Sequence, residues 1–285
     1  MALFSSVDDA RAKLASTGYL ADQAVATTVF LADALTKPIL VEGPAGTGKT
    51  ELAKAVAQAT GARLVRLQCY EGLDEARALY EWNYRKQLLR IQGGTGGWDA
   101  LQEDIFGPDY LLERPLLAAI RGSEPTVLLI DETDKADVEI EGLLLELLSD
   151  YQVTVPELGT VRAEQVPFVV LTSNASRELS EALKRRCLYL HADYPSAERE
   201  RQIVLTRVPA ASAELADQVV RAVRALRGLE LRKPPSVAES IDWARTVLAI
   251  GAPGLDDATA AATLGVVLKH PSDQARAREA LSLRR

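Results

Sequence analysis

One glycine-rich segment, residues 43–50, limits most strongly what this chain can fold into. It reads Gly-Pro-Ala-Gly-Thr-Gly-Lys-Thr and fits the spacing of a phosphate-binding loop, G-x-x-x-x-G-K-[ST]. An apolar run at residues 38–40 precedes it, and residues 51–57 have the spacing of a helix. The order of strand, loop and helix predicts an α/β domain with an anion site. A simple glycine-rich turn is the alternative, and Lys49 followed by Thr50 argues against it.

Each residue type in this loop has a physical reason. Because glycine has no β-carbon, the backbone N–H groups can turn toward an anion. Lys49 is expected to reach the terminal phosphates, and the Thr50 hydroxyl is expected to bind Mg²⁺. We therefore predict that the chain binds a nucleoside triphosphate together with Mg²⁺. The predicted binding residues of the loop are Gly43, Pro44, Ala45, Gly46, Thr47, Gly48, Lys49 and Thr50.

Size and composition favour an ordered globule. The chain has 285 residues, enough for one large α/β domain and a smaller second domain, and 47% of them are hydrophobic. Its formal net charge of −7 disfavours nucleic acid as the main partner, although local basic patches remain possible. Cys69 and Cys187 are too few for a disulfide framework and are expected to be buried in a reducing compartment. We expect a cytoplasmic protein without membrane contact.

A second decisive stretch, residues 127–132, reads Val-Leu-Leu-Ile-Asp-Glu. The apolar residues predict a buried parallel strand, and the two acids follow at its carboxyl end, where α/β sheets bind ligands. Asp131 is expected to orient Mg²⁺ through water, and Glu132 to act as general base on the attacking water. Alternatively, the acids only begin the next helix, a role that Asp134 or Asp137 would serve equally well.

Another buried strand is predicted at residues 168–174, and it ends in Asn174. This side chain is neutral, both donates and accepts, and would stand at the same sheet edge as Glu132. It is expected to hold the γ-phosphate or the lytic water. Capping of the next helix is the open alternative for Asn174.

Two adjacent arginines, Arg185 and Arg186, end a predicted helix that starts near residue 180. They either remain solvated and complement the helix dipole, or neutralise transition-state charge in a neighbouring subunit as arginine fingers.

After residue 194 the pattern is helical throughout. Arg232 and Lys233 precede two prolines that suit the first turn of the third helix, where basic side chains could reach a bound nucleotide. The predicted helices of this part are 197–207, 213–227, 237–250, 256–268 and 272–283.

Between these landmarks the pattern predicts alternating helices and strands, hence a mainly parallel sheet. A β-hairpin with a four-residue turn at residues 151–162 offers a contact surface. The glycine-rich residues 93–97 indicate either a flexible surface linker or a mobile loop beside a substrate channel. The other predicted elements are helices at 6–15, 21–35, 75–91, 111–121 and 138–149 and a strand at 62–69.

The loop, the Asp-Glu strand end, the strand-end Asn, the paired arginines and the helical C-terminal part occur in the order found in AAA+ ATPases. The chain resembles that superfamily over nearly its whole length. The segment 80–121 and the hairpin before Asn174 resemble the MoxR group. The strings RLQCYEGLD, YEWNYRKQLL, FVVLTSN, ALKRRCLYL and RKPPSVAESIDWA resemble its CoxD-like branch, which is linked to maturation of carbon-monoxide-dehydrogenase-type enzymes.

This resemblance implies an α/β P-loop NTPase (AAA+) fold, with a parallel sheet flanked by helices and a smaller all-α lid domain. The implied domains are residues 1–194, with a helical insert at about 80–121 and the hairpin at about 151–162, and residues 195–285. The implied protein is a homo-oligomer, usually a hexameric ring, that binds ATP and Mg²⁺ between subunits. It is implied to act with a von Willebrand factor A domain protein as a chaperone-like machine on a metalloenzyme client of the molybdenum hydroxylase type.

Residue by residue, Lys49 and Thr50 match the Walker A positions, Asp131 and Glu132 match Walker B, and Asn174 matches sensor 1. Arg186 best matches the arginine finger, with Arg185 as its competitor.

The chain departs from the MoxR pattern at sensor 2. Relatives carry an Arg just inside the third lid helix, where this chain reads Pro235-Ser236, so that Arg232 or Lys233 would have to substitute from outside the helix. Two other functions share the nucleotide residues: a nucleic-acid-associated AAA+ motor or restriction-type GTPase, which the net charge disfavours, and a non-hydrolysing nucleotide switch, against which Glu132 and Asn174 argue.

Overall fold

The computed structural model describes residues 2–93, 105–156 and 158–282. The chain divides into two compact units. The first consists of Met1–Thr17, Ala21–Glu42 and Thr50–His191, and the second of Gly18–Leu20, Gly43–Lys49 and Ala192–Arg285. Residues 43–49 of the glycine-rich segment thus belong to the same unit as the helical C-terminal part, whereas Thr50 belongs to the first unit. The division into domains at residue 194 stays a prediction.

Strands and helices are numbered in chain order. The strands are β1 (Ile39–Glu42), β2 (Arg63–Gln68), β3 (Tyr80–Trp82), β4 (Leu111–Glu113), β5 (Thr126–Asp131), β6 (Gln152–Val155), β7 (Gly159–Arg162), β8 (Phe168–Ser173) and β9 (Leu188–His191). The helices of the first unit are α1 (Val7–Ser16), α2 (Gln23–Leu35), α3 (Lys49–Thr60, whose first residue belongs to the second unit), α4 (Glu75–Ala78), α5 (Tyr84–Gly93), α6 (Pro115–Arg121), α7 (Val138–Asp150) and α8 (Glu181–Arg186). Those of the second unit are α9 (Ala197–Arg207), α10 (Ala213–Arg227), α11 (Val237–Ala249), α12 (Asp257–Val267) and α13 (Pro271–Ser282).

The first unit is built on a parallel sheet with the strand order β2-β5-β8-β1-β9. Every residue of β5 and of β8 is buried, because these strands lie inside the sheet and helices cover it. Strand β2 lies at an edge, and it buries Val65 and Leu67 while the side chains that alternate with them face outward. The predicted α/β fold with a parallel sheet flanked by helices is confirmed.

Two predicted helices are wrong in part. The helix predicted for residues 75–91 is interrupted by β3, and the helix predicted for residues 111–121 begins at Pro115, after β4. The two strands pair antiparallel, and the Trp82 ring packs edge to face against the rings of Tyr80 and Phe106, with centroids 6.1 and 5.4 Å apart. Burial of these aromatic side chains outweighs local helix propensity, which is worth less than about 1 kcal/mol per residue.

The predicted hairpin is confirmed, since β6 pairs antiparallel with β7 from Gln152↔Arg162 to Val155↔Gly159. Three residues separate the strands instead of the four predicted, because Gly159 begins β7. Of the glycine-rich stretch 93–97, residues 94–97 lie outside the described residues. No helix in the described ranges has both the length and the apolar character needed to cross a lipid bilayer.

The second unit has the predicted helices at its C-terminal end, packed around a core that contains Trp243, Val219 and Leu264. The predicted start of α11 at residue 237 is confirmed, but the prolines do not lie in its first turn as expected. Pro234 and Pro235 precede the helix, and Ser236 caps it, because its side chain and that of Glu239 form a reciprocal capping box.

A buried ion pair joins three helices of the second unit. Glu200 on α9 is fully buried, and both its carboxylate oxygens accept bonds of 2.7 Å from the guanidinium of Arg227 on α10. The hydroxyl of Ser240 on α11 donates to Glu200 Oε1 at 2.6 Å, and Arg227 Nε donates to the carbonyl of Pro235 at 2.7 Å. The carboxylate therefore fixes the relative positions of α9, α10 and α11.

Replacing Glu200 by Leu should lower the free energy of unfolding by about 3–5 kcal/mol, because Arg227 would remain buried without a counter-ion. Urea unfolding monitored by circular dichroism measures the change. Glu198→Gln on the same helix is the matched control, since that side chain is 69% exposed, and it should stay within about 0.5 kcal/mol of the unsubstituted protein. Equal stability of the two variants would contradict the assigned role of the ion pair.

Candidate functional site

The carboxylate of Asp131, at the end of β5, is the centre of the candidate site. Asp131 is 4% exposed. Its Oδ1 accepts hydrogen bonds from the hydroxyls of Thr50, at 3.0 Å, and of Thr172, at 2.6 Å. Thr50 is the second residue of α3, and Thr172 lies on the neighbouring strand β8. The structure therefore brings together the two residues that the sequence assigned to the metal.

Arg66 donates to the other carboxylate oxygen of Asp131, Oδ2, at 2.5 Å. Because side chains alternate along a strand, Arg66 and Gln68 lie on the same face of β2, and Gln68 is the register partner of Asp131. Nη2 of Arg66 also donates to Gln68 Oε1. Gln68 Nε2 in turn donates to Oε2 of Glu132 at 3.1 Å. A continuous hydrogen-bonded chain thus links the predicted metal ligand to the predicted base.

Glu132 adopts a left-handed backbone conformation, with φ 56° and ψ 48°. This region is unfavourable for a residue with a β-carbon and is found where surrounding contacts hold it. Here the Glu132 N–H donates to Thr172 Oγ1 at 2.9 Å, and the same hydroxyl donates to Asp131. Thr172 therefore fixes both acids at the sheet edge, with Glu132 half-buried.

Asn174 lies at the same edge, one residue beyond β8. Its backbone N–H donates to Asp134 Oδ1 at 3.1 Å, and Asp134 Oδ2 accepts from the N–H and the hydroxyl of Ser176. Burial raises the pKa of the Asp134 carboxyl, but these hydrogen bonds outweigh it and hold the pKa below its ordinary value. The Asn174 side chain forms no hydrogen bond with the described residues, and it stays available at the sheet edge.

The predicted loop residues Gly43–Lys49 belong to the second unit. Lys49 is 6% exposed, and its Nζ donates to the carbonyls of Gly43 and Pro44, both at 2.7 Å. Thr47 Oγ1 also donates to the Pro44 carbonyl, at 3.0 Å. The loop is thus closed on itself by the side chain that is expected to bind phosphate.

Two loop glycines are required by close approach within the second unit. A β-carbon at Gly43 would lie 1.9 Å from the carbonyl oxygen of Ala192. A β-carbon at Gly46, where φ is +75°, would lie 2.1 Å from Ser236 Oγ. No side chain fits at either position without displacing these neighbours.

The predicted arginines differ in their contacts. Arg186 Nε donates to Ser149 Oγ at 2.7 Å, and its Nη1 donates to the Ala182 carbonyl at 2.9 Å. Arg185 is exposed, and its side chain forms no hydrogen bond or ion pair with the described part of the chain. The finger assignment stays a prediction, and these contacts distinguish the two candidates.

The side chains of Arg232 and Lys233 are exposed. Their backbone N–H groups donate to the carboxylate of Asp273 at 3.0 and 3.2 Å, and these bonds hold the pKa of that carboxyl below its ordinary value. Their predicted role toward the nucleotide stays a prediction.

The structure adds three residues that the sequence did not single out: Arg66, Gln68 and Thr172. The available signal was positional. Polar residues at 66 and 68 alternate with the buried Val65 and Leu67, and Thr172 falls just before the end of an otherwise apolar strand. Such a pattern is also typical of solvated strand residues, so that only the strand register shows which acids these side chains contact.

The oxygen donors at Asp131 fit Mg²⁺. Within residues 2–93, 105–156 and 158–282, no group of three or more His, Cys, Asp or Glu side chains is arranged to hold a metal ion. Mg²⁺ at phosphate sites needs only one or two protein oxygens, since phosphates and waters complete its shell. The Thr50 hydroxyl and the Asp131 carboxylate provide these. Burial, with a smaller effect of Asp131, raises the pKa of the nearby Cys69 thiol to about 12.

Asp134→Asn should destabilise the protein in a pH-dependent way. Because the pKa of the folded carboxyl is below 3.8, its ordinary value, the carboxylate contributes stability above that pH and loses it as the pH falls through the folded value. We expect a loss of about 1–3 kcal/mol in unfolding free energy at pH 7. The difference from the unsubstituted protein should shrink below about pH 4. Urea titrations across this range measure it, with the exposed Asp150→Asn as control. A difference that grows on acidification would contradict the prediction.

Comparison with known proteins identifies the family. The model of the AAA domain (dynein-related subfamily) matches residues 38–187, just over half of the 285 residues. An uncharacterised protein of Staphylococcus aureus is 29% identical over 167 residues, which are 56% of this chain and 57% of that protein. The chaperone protein ClpB of Streptomyces albus G is 29% identical over 177 residues, or 60% of this chain and 17% of ClpB.

A homologue of ClpA, the ATP-binding subunit of the ATP-dependent Clp protease, from Porphyra purpurea is 30% identical over 145 residues. These are 50% of this chain and 15% of that protein. The chain thus spans less than two thirds of each of these relatives.

Solved structures agree on the fold. A mutant of RuvB from Thermotoga maritima matches with a TM-score of 0.52 at 15% identity, covering 92% of this chain and 71% of RuvB. Another structure of the same RuvB, described as a Holliday junction branch migration motor, matches with a TM-score of 0.50 at 14% identity. The match covers 93% of this chain and 73% of that RuvB chain. At such identities the likeness concerns the fold alone. The family model spans the loop, β5 and the strand-end Asn, and the chain belongs to the AAA domain family, in its dynein-related subfamily.

Proposed function

We propose that this chain is a Mg²⁺-dependent ATPase that hydrolyses ATP to remodel a client protein. The observation that carries the proposal is the 3.0 Å hydrogen bond between Thr50 and Asp131, with Glu132 directly after Asp131 at the sheet edge. Phosphoryl transfer to water requires a hydroxyl and a carboxylate that hold the metal. It also requires a second carboxylate that activates the attacking water.

Each residue then has a definite task. When bound, Mg²⁺ supplies positive charge to the phosphate oxygens, and Thr50 and Asp131 would hold it. Lys49 exchanges the Gly43 and Pro44 carbonyls for phosphate oxygens, since its ammonium group gains more from anions than from neutral acceptors. Glu132 accepts the proton of the attacking water.

Two side chains assist Glu132. Asn174, whose amide forms no bond with the described residues, orients the attacking water. Gln68 holds one carboxylate oxygen of Glu132 and leaves the other for the water.

A protein client is favoured over a nucleic acid. Two relatives at 29–30% identity carry the names of a chaperone and of the ATP-binding subunit of a protease, whereas the likeness to RuvB concerns the fold alone. The net charge of −7 also opposes binding to a phosphate backbone.

We further assign the chain to the MoxR group, CoxD-like branch. The support is the quoted sequence strings, the segment that contains β3 and β4, and the hairpin β6–β7. The implied assembly is a hexameric cytoplasmic ring that works with a von Willebrand factor A domain protein. Its implied client is a metalloenzyme of the molybdenum hydroxylase type that receives its cofactor.

Glu132→Gln should lower the rate of ATP hydrolysis at least about 100-fold, because an amide cannot accept the proton of water. Binding of ATP with Mg²⁺, measured by calorimetry, should stay within about threefold, since the substitution keeps size and shape. Phosphate release measures turnover, and Glu139→Gln, an exposed acid on α7, is the control.

Retained turnover in Glu132→Gln would contradict the role as base. Failure of the unsubstituted protein to release phosphate with Mg²⁺ would favour the nucleotide switch. Stimulation of turnover by DNA or RNA, but not by proteins, would favour a nucleic-acid motor.

We propose Arg185 as the residue that acts on the neighbouring subunit, because Arg186 is engaged by Ser149 and Ala182. Arg185→Ala should lower turnover about 10³-fold while ATP binding persists. Arg186→Ala should chiefly lower the free energy of unfolding, by about 1 kcal/mol. Turnover measured against protein concentration tests the arrangement, because a residue acting between subunits gives a rate per subunit that rises with assembly. A larger loss of turnover in Arg186→Ala would reverse the assignment.

A further inference from the structure

Arg66 contacts Asp131, the carboxylate that is proposed to hold the metal. Its guanidinium bonds Oδ2 of Asp131 at 2.5 Å, while Oδ1 of Asp131 receives two neutral hydroxyls. Asp131 has a side chain only 5% exposed, and among the described residues Arg66 is its salt-bridge partner. A buried carboxylate is costly without a compensating charge. Arg66 supplies that positive charge while no metal ion is bound.

The Arg66 side chain is itself 48% exposed. Water therefore reaches one side of the guanidinium. Moving the guanidinium away from Asp131 costs far less free energy than breaking a fully buried ion pair. A divalent cation held by Asp131 would repel the guanidinium and would take over its role in neutralising the carboxylate. Arg66 and the metal ion thus compete for the negative charge of Asp131.

Gln68 connects this competition to the base. Nη2 of Arg66 bonds Gln68 Oε1 as well as Asp131, and Gln68 Nε2 bonds Glu132 Oε2 at 3.1 Å. One nitrogen atom therefore holds both the metal carboxylate and the amide that holds the base. If Arg66 leaves Asp131, the Gln68 amide loses the contact that orients it.

We propose that Arg66 is the internal counter-ion of Asp131 and moves off this carboxylate when Mg²⁺ arrives with the nucleotide. This inference rests on the proposed binding of ATP and Mg²⁺. A ligand shifts such an equilibrium only through its different affinity for the two states, and competition at Asp131 provides that difference.

The test is the Mg²⁺ concentration that half-saturates metal-dependent binding of ADP, measured by calorimetry at a fixed nucleotide concentration. In Arg66→Ala the metal no longer competes with the guanidinium, and this concentration should fall about three- to tenfold, which is the worth of a half-exposed ion pair. Arg63→Ala is the matched control, because Arg63 is an exposed arginine on the same strand, and it should leave the value unchanged.

A second measurement uses the unsubstituted protein and does not depend on the folding of a variant. In ¹⁵N spectra of the arginine side chains, the Arg66 Nε–H signal, assigned by its loss in Arg66→Lys, should shift when Mg²⁺ is added to the ADP complex. The side-chain amide signal of Gln68, assigned with Gln68→Ala, should shift with it.

The outcomes separate the two proposals. An unchanged or increased Mg²⁺ requirement in Arg66→Ala, or arginine and glutamine signals that do not respond to Mg²⁺, would overturn the role of Arg66 while nucleotide binding stands. Absence of any adenine-nucleotide binding by the unsubstituted protein would overturn the proposed function and this inference together. Equal loss of ADP affinity with and without Mg²⁺ in Arg66→Ala would make Arg66 a phosphate ligand instead.

Discussion

The hydrogen bonds that Asp131 receives from Thr50 and Thr172 join three elements on which the site depends. They connect the end of β5, the first turn of α3 and strand β8 through one carboxylate that is almost fully buried. Burial of a charge at this point is costly, and the partners that offset the cost also fix where α3 begins relative to the sheet. Stability and the proposed function thus use the same contacts, because the group that would hold the metal also connects the elements at the sheet edge. Thr172 extends this arrangement to Glu132, whose left-handed backbone needs an outside partner to persist.

The parts of the fold that the sequence predicted are those determined locally. Strand β5 was predicted from an unbroken apolar run, and the loop from its glycine spacing, since each pattern is complete within ten residues. Strands β3 and β4 were missed because their pairing joins residues about thirty positions apart, and neither segment alone can bury Trp82. Arg66 was missed for a similar reason: its partner is 65 residues away, and the parallel register of β2 with β5 brings them together. Sequence patterns record which face a residue occupies but not which strand lies beside it.

The sequence departs from the MoxR pattern at Ser236, and this position shows what a single small residue can determine. Ser236 caps α11, and its side chain stands so close to Gly46 that a β-carbon there would overlap it. The hydroxyl is engaged by Ala238 and Glu239 of its own helix. A longer basic side chain at 236 would have to leave both the cap and this contact. Arg232 and Lys233 have backbones anchored on Asp273 and exposed side chains, so the cationic groups of this segment lie outside the helix start.

The buried acids that stabilise the fold differ from the candidate reactive groups, because only the acids have full sets of hydrogen-bond or ion-pair partners. Asp134, Glu141 and Glu200 are buried acids with full sets of partners, namely backbone N–H groups, hydroxyls or arginines. Their charges are already stabilised by these partners, and a ligand would gain little by approaching them. In the described part of the chain, the Asn174 amide, the Arg185 guanidinium and one oxygen of Glu132 have no such partner. Groups without such partners can bind atoms whose charge changes during the proposed reaction, and these three lie in the first unit with Asp131.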